Sequence, residues 1–217
     1  MNASLKENLK TPKKVITSNI MEIKMIEDCS SFNIRDSLKP MKLEEVKEIQ
    51  RSSTLPFSIA AINLSGSLNL GMMIRSAVIF GAETFYIIGR KKYDKRSTVG
   101  AHNYIDLKFI TEDPEEYPHL VLNDILIKYN LAFIEQGGKN INSVHFGKGN
   151  YDRCFLFGSE SNGVPKKLLE VGIKEAKAEI FSIPQLGVLR SLNVSAAASI
   201  VMHKVAMDLK PVEQEIV

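Results

Sequence analysis

The sequence predicts an α/β protein with a mostly parallel sheet flanked by helices. Short runs rich in β-branched and aromatic residues alternate along the chain with stretches of helical character. Those runs are apolar at successive positions instead of alternate ones, so the sheet they form needs cover on both faces. The 217 residues are 44% hydrophobic and 24% charged, which suits a globular domain with a sizeable core and excludes a disordered, collagen-like or coiled-coil chain.

Residues 1–17 carry Lys6, Lys10, Lys13 and Lys14 against Glu7 alone, with few large apolar groups, and are expected to be a basic tail without fixed structure. In residues 41–51, Leu43, Val46 and Ile49 recur at helical spacing between charges, the pattern of an amphipathic helix that opens the folded part. Strands are expected at residues 57–62, 85–88, 131–134, 155–157 and 180–183, and helices at 70–80, 120–129, 166–171 and 191–209. The division is then an appendage over residues 1–50 and a main domain over 51–217.

Lys plus Arg number 28 against 25 Asp plus Glu, and a net charge of +3 is too small to demand a polyanionic partner by itself. Cys29 and Cys154 are far apart and form no CxxC, so they read as reduced thiols, with neither zinc nor redox chemistry and no metal expected. No apolar leader opens the chain, and no window approaches the roughly 18 apolar residues of a membrane span, so a cytoplasmic protein without membrane contact is expected. Gly158 and Gly163 have the glycine spacing of a phosphate loop, but Val164 stands where its Lys is required. GxGxxG, GxSxG and HExxH are likewise missing.

Three segments carry chemistry. The first, residues 63–81, passes from an Asn-, Ser- and Gly-rich loop into a helix with Asn69 as a candidate N-cap. In that helix Arg75 sits among Met72, Met73, Ile74, Ala77 and Val78. A guanidinium there either lines a site or reaches water from a helix edge. The second, residues 155–170, is a buried strand that breaks at Gly158 and presents Glu160 before Gly163 and Pro165, at the sheet edge where α/β proteins bind ligands. Glu160 alone could equally be a solvated loop carboxylate. The third, residues 183–205, places Ser191, Asn193 and Ser195 at the start of a nearly all-apolar helix. Ser191 could be its N-cap, and Asn193 and Ser195 need specific partners.

In this order and spacing the three segments resemble the motifs of the SpoU/TrmH-type RNA 2′-O-ribose methyltransferases of the SPOUT superfamily. The first motif is matched by Asn63, Asn69, Gly71, Arg75, Phe80 and Gly81. Gly158, Glu160 and Gly163 match the second, and every fixed position of IPxxGxxxSLNVS from Ile183 to Ser195 matches the third. Gly66 and Ser67 stand where the family often has Asp-Pro, and Met202, His203 and Lys204 replace its aromatic-acidic ending.

The resemblance implies a SPOUT fold whose C-terminal part is a deep trefoil knot. It also implies S-adenosylmethionine as the cofactor and RNA, transfer or ribosomal, as the substrate. The knot loops would hold the cofactor: Gln136 and Gly137 after one strand, Phe157, Gly158, Ser159, Glu160 and Gly163 after the next, and Ile183, Leu186, Gly187, Ser191 and Leu192 in the last. The catalytic set it implies is Arg75, Asn69, Glu160, Ser191 and Asn193. Arg is a poor base at neutral pH. Arg75 is therefore expected to stabilise a developing alkoxide and grip the adjacent phosphate, oriented by Ser191, Asn69 and Glu160.

Arg90, Lys91, Lys92, Lys95 and Arg96 surround the single carboxylate of Asp94, with Tyr93 available for stacking. This is either an ordinary solvated loop or, with the basic tail, the RNA-binding surface. The helix at 191–209 is apolar all round, which calls for a second cover and an expected homodimer, with the chain's own N-terminal helix as the other possible cover. The alternative functions are a SPOUT protein that binds RNA without catalysis and a SPOUT enzyme that modifies a base.

Overall fold

The computed structural model describes residues 33–63, 68–147 and 152–210. The tail at residues 1–17, Cys29 and the pair Gly66 and Ser67 lie outside the described residues. Six strands form one sheet: β1 (Phe57–Asn63), β2 (Thr84–Gly89), β3 (Asp106–Ile110), β4 (Asn130–Asn140), β5 (Arg153–Phe157) and β6 (Glu179–Ser182). Their order is β3-β2-β1-β5-β4-β6, and every neighbouring pair is parallel. The helices are α1 (Leu43–Ser52), α2 (Leu68–Ile79), α3 (Lys95–Thr98), α4 (Pro118–Leu126), α5 (Lys166–Lys174) and α6 (Val194–Leu209).

All seven residues of β1 are buried, as a continuously apolar central strand requires. Phe57, Ile59 and Ala61 point into one core with Leu70, Met73 and Ile74 of α2 and Ala198, Val201 and Met202 of α6. Ala60 and Ile62 point into the other, with Val121, Leu122 and Ile125 of α4 and Leu168 of α5. The helix after β1 therefore covers one face and the helix after β5 the other. These two strands are neighbours, so their carboxyl ends diverge around a crevice, the place where open parallel sheets bind ligands.

Local chemistry sets the boundaries. At the start of α1 the Glu45 carboxylate accepts from the Lys42 backbone N–H at 2.8 Å. Val46 is buried, and Gln50 Nε2 donates to Val78 O at 3.3 Å, fastening α1 to the end of α2. That end is a Schellman turn: Gly81 has φ +75°, and Ala82 N–H reaches Ala77 O at 2.8 Å.

Four expectations are corrected. β3 was not expected: it is an edge strand with only Ile110 buried, so it lacks the apolar run that marks the others. Residues 95–98 form a short helix and not a loop, because the Asp94 carboxylate caps it from Arg96 N–H at 2.8 Å. β4 continues to Asn140, past a register shift that pairs Lys139 with Phe181. β6 ends at Ser182, so Ile183 already belongs to the following loop. The caps also move. α6 begins at Val194 with Asn193 as its N-cap in place of Ser191, and Asn69 lies within the first turn of α2.

Candidate active site

Three polar side chains from distant parts of the sequence meet at the carboxyl edge. Glu160 Oε1 accepts from Asn69 Nδ2 at 2.8 Å, and Asn69 Oδ1 accepts from Asn193 Nδ2 at 3.0 Å. Asn193 Oδ1 in turn accepts from Ser195 N–H at 2.9 Å, Ser195 Oγ–H at 2.6 Å and Ala196 N–H at 3.4 Å, capping α6. The carboxylate fixes which way the first amide points, and that amide fixes the second. Asn69 and Glu160 line a small open pocket with Ala61, Asn63, Met73, Gly158 and Val194. The helices behind it, α2 and α6, are joined by Ser76 Oγ and Ser199 Oγ, 2.9 Å apart, while Ser199 Oγ–H donates within α6 to Ser195 O at 2.8 Å.

Glu160 is presented by a tight turn. Ser159 and Gly163 exchange two backbone hydrogen bonds of 3.0 Å, and Gly163 takes φ +66°. A Cβ on Gly158 would collide with the Gly163 carbonyl. Glu135, within β4 at its register shift, accepts from Gln136 N–H at 3.0 Å and Val164 N–H at 3.3 Å, stapling this irregular stretch of β4 to the turn. Gln136 Nε2 donates to Arg190 O at 2.7 Å, which brings in the loop after β6. Gln136 and Gly137 in the irregular stretch of β4, Phe157 at the end of β5 with Ser159 in the turn that follows, and Gly187 in the loop after β6 are thus held side by side. On the last of these, Leu186 and Val188 are fully exposed and Leu189 is 79% exposed. The resemblance names Glu135 only as the first residue of a cofactor-holding loop; the sole signal for its stapling role is a lone carboxylate at the end of an apolar run.

Arg75 lies on the exposed face of α2 and makes no hydrogen bond or ion pair with a described residue. Around it Leu68, Met72 and Ile79 are 60%, 50% and 66% exposed. Ser191 is likewise exposed, without a hydrogen-bond partner among the described residues, and Leu192 is 44% exposed. Asn69, Glu160 and Asn193 are therefore bonded together, whereas Arg75 and Ser191 are not bonded to them.

The five cations of residues 90–96 are not equivalent. Arg90, Lys91, Lys92 and Lys95 are exposed and form no ion pair with a described residue. Arg96 is held by Asp94, Nε to Oδ1 at 3.1 Å and a terminal nitrogen to Oδ2 at 2.8 Å, and this bonding drops the Asp94 carboxyl to about 2. Tyr93 is half-buried against the core with its ring 6.1 Å from that of His102. His102 Nδ1 lies 2.7 Å from Thr98 Oγ1, and burial, then Lys95, lowers its pKa. Asn63, matched in the first motif but given no role there, is buried at the end of β1, and its Nδ2 donates to Arg90 O at 2.6 Å and Lys92 O at 2.8 Å.

Among the described residues no three His, Cys, Asp or Glu side chains gather as metal ligands, and no helix is long and apolar enough to cross a membrane. Cys154 is fully buried, which raises its thiol pKa well above the ordinary value.

Comparison with known proteins matches residues 56–203 to a model of the SpoU rRNA Methylase family. YacO of Bacillus subtilis (strain 168), named for the TrmH family of tRNA/rRNA methyltransferases, is 25% identical over 171 residues, spanning 76% of this chain and 64% of YacO. The fold is shared with the TrmH/SpoU tRNA modifying enzyme of A. aeolicus, at a TM-score of 0.59 and 18% identity over 76% of this chain and 81% of that one. It is also shared with an AdoMet-bound rRNA methyltransferase from Sinorhizobium meliloti, at 0.56 and 22% over 71% and 57%.

Proposed function

Because the chain belongs to the SpoU rRNA Methylase family, we propose that it transfers a methyl group from S-adenosylmethionine to a ribose 2′-hydroxyl of a transfer or ribosomal RNA. The observation that carries this reading is the Glu160–Asn69–Asn193 chain standing beside the irregular stretch of β4 and the two loops stapled to it at the carboxyl edge.

The residues present fit the cofactor. Gly137 and Gly187 have open space where a Cβ would be, so a ligand can approach the backbone there. Leu186, Val188 and Leu189 offer uncovered apolar surface for the flat, weakly polar part of such a molecule. The cofactor brings an activated methyl group and its own leaving group. The protein has to align an oxygen that is scarcely ionised at neutral pH and to stabilise its charge as the proton leaves. Asn69 is held by Glu160 and Asn193 before any ligand arrives, so it needs no reorganisation at the moment of reaction. Arg75 spends none of its five donors on a described residue, which suits it to grip the alkoxide and the neighbouring phosphate. Ser191 and Leu192 would close the pocket from the last loop, whose crossing to α6 we read as the threading of a trefoil knot.

The exposed apolar groups around Arg75 continue onto Ile200 of α6, 43% exposed. A second copy of the chain would cover them, so the proposed active form is a homodimer with Arg75 at its interface. The alternative cover, α1, packs instead at the far end of α2 through Gln50 and Val78.

Calorimetry with S-adenosylmethionine, followed by transfer of labelled methyl to RNA, tests the reading. One cofactor per chain and transfer that falls at least about a hundredfold in Arg75→Ala are expected. No binding by folded protein, or undiminished transfer by Arg75→Ala, would overturn it.

A further inference from the structure

The cationic segment 90–96 has no regular structure up to Asp94, yet it is fixed to the site at two points that both belong to the first sequence motif. At one, Asn63 uses both N–H groups of its side chain on the carbonyls of Arg90 and Lys92, and its own backbone O accepts from Arg90 N–H at 3.0 Å. A buried amide satisfied this way orders three consecutive residues. At the other, Gly71 lets α3 lie directly against α2: a Cβ there would overlap Ser97 Oγ and stand 2.7 Å from Asp94 O. Ser97 Oγ–H itself donates to Asp94 O at 2.7 Å, so the contact point is rigid.

Asn63 also lines the pocket, and both of its side-chain N–H groups are spent on this segment. What Asn63 and Gly71 hold in common is a run of cations, four of them without an ion-pair partner among the described residues, on the rim of the pocket. Like charges left together and unneutralised repel one another, and a flexible segment would spread them. Fixing the backbone beneath them keeps the charges at one spacing before a polyanion arrives, which removes an ordering cost from binding.

We infer that Asn63 and Gly71 are positioning residues for RNA, which lock the Arg90–Lys95 cations into a preformed phosphate-binding platform beside the pocket. The inference rests on the RNA reading above. It separates two properties that charge removal alone would confuse. Deleting cations removes phosphate contacts and flattens the salt dependence of binding. Unlocking the platform keeps every charge, so affinity falls while the salt slope stays.

The test measures binding of a fluorescently labelled RNA hairpin across a salt series for the parent, Asn63→Ala, Gly71→Ala and the triple variant Lys91→Ala, Lys92→Ala, Lys95→Ala. The expected result is an affinity about tenfold weaker in both unlocked variants, with the parent salt slope, against a flatter slope in the triple variant. Circular dichroism and thermal melts identify any variant that fails to fold, and the other clamp variant then carries the test. In methyl-transfer assays the KM for RNA should rise while kcat at saturating RNA is kept, a split that general loss of folded protein would not give. Parent affinity in Asn63→Ala and Gly71→Ala, with a weakened triple variant, overturns the clamp and leaves the RNA surface standing. Parent affinity in all three variants removes RNA from this segment altogether. Weakening in the clamp variants alone gives Asn63 and Gly71 another role and also overturns the inference.

Discussion

At the scale of single residues the site depends on amide orientation. Asn69 gives its N–H group to Glu160 and receives one from Asn193, so it works as a polarised link and not merely as a polar filler. Asn69→Asp keeps the size but sets a carboxylate against Glu160 and removes that donor. It is expected to reduce methyl transfer more than Asn69→Ala, in a rate measurement at neutral pH. Asn193→Ala removes the α6 cap as well and should cost about 1 kcal/mol of stability, read by urea unfolding. Asn69, Glu160 and Asn193 were legible through the resemblance to the three motifs, since residue chemistry alone offered Asn69 as an N-cap, left Glu160 equally a solvated loop carboxylate and asked only that Asn193 find a partner. The partners of Asn63 and Glu135 were not, since each is a single polar residue bonded to backbone groups of a remote segment. Spacing along the chain does not reveal such a pairing.

Among the elements, α6 does two jobs, ending the fold and presenting Asn193. Its last turn is tied to the loop before β5 by Asp208, which accepts from Phe146 N–H at 3.0 Å and from Lys204. Burial works against the charged Asp208 carboxyl, but the hydrogen bonds from Lys204 and Phe146 outweigh it, and its pKa lies below the usual carboxylate range. A depressed folded-state pKa gives stability that is present above the unfolded value and lost as pH falls through the folded one. Asp208→Asn should therefore destabilise the protein at pH 7 by about 1 kcal/mol and show a shallower loss of stability in acid, followed by unfolding at several pH values. Gly158→Ala forces the second-motif turn apart and should lower the melting temperature and weaken cofactor binding together. Central strands were readable because they are apolar throughout. β3 was hidden because an edge strand tolerates Asp106 and Lys108 in water, and α3 because a four-residue helix depends on one cap.

For the whole molecule, the sheet order places the crevice between β1 and β5, and only the folded chain brings residues 69, 160 and 193 there. The sequence motifs named these residues, while the parallel pairing and the loop staples explain why they meet. Light scattering should find a particle of twice 24.2 kDa. Ile200→Glu is expected to split it, whereas Ala198 is wholly buried in the chain's own core and a charge there would unfold the protomer instead. Locating the transferred methyl bears most directly on the proposed reaction. The protein is incubated with RNA and isotopically labelled S-adenosylmethionine, and the RNA is digested to nucleosides for mass spectrometry. Label on the ribose 2′-oxygen, absent with Arg75→Ala, is the predicted result. Label on a base, or none from protein that binds the cofactor and the RNA, would contradict it.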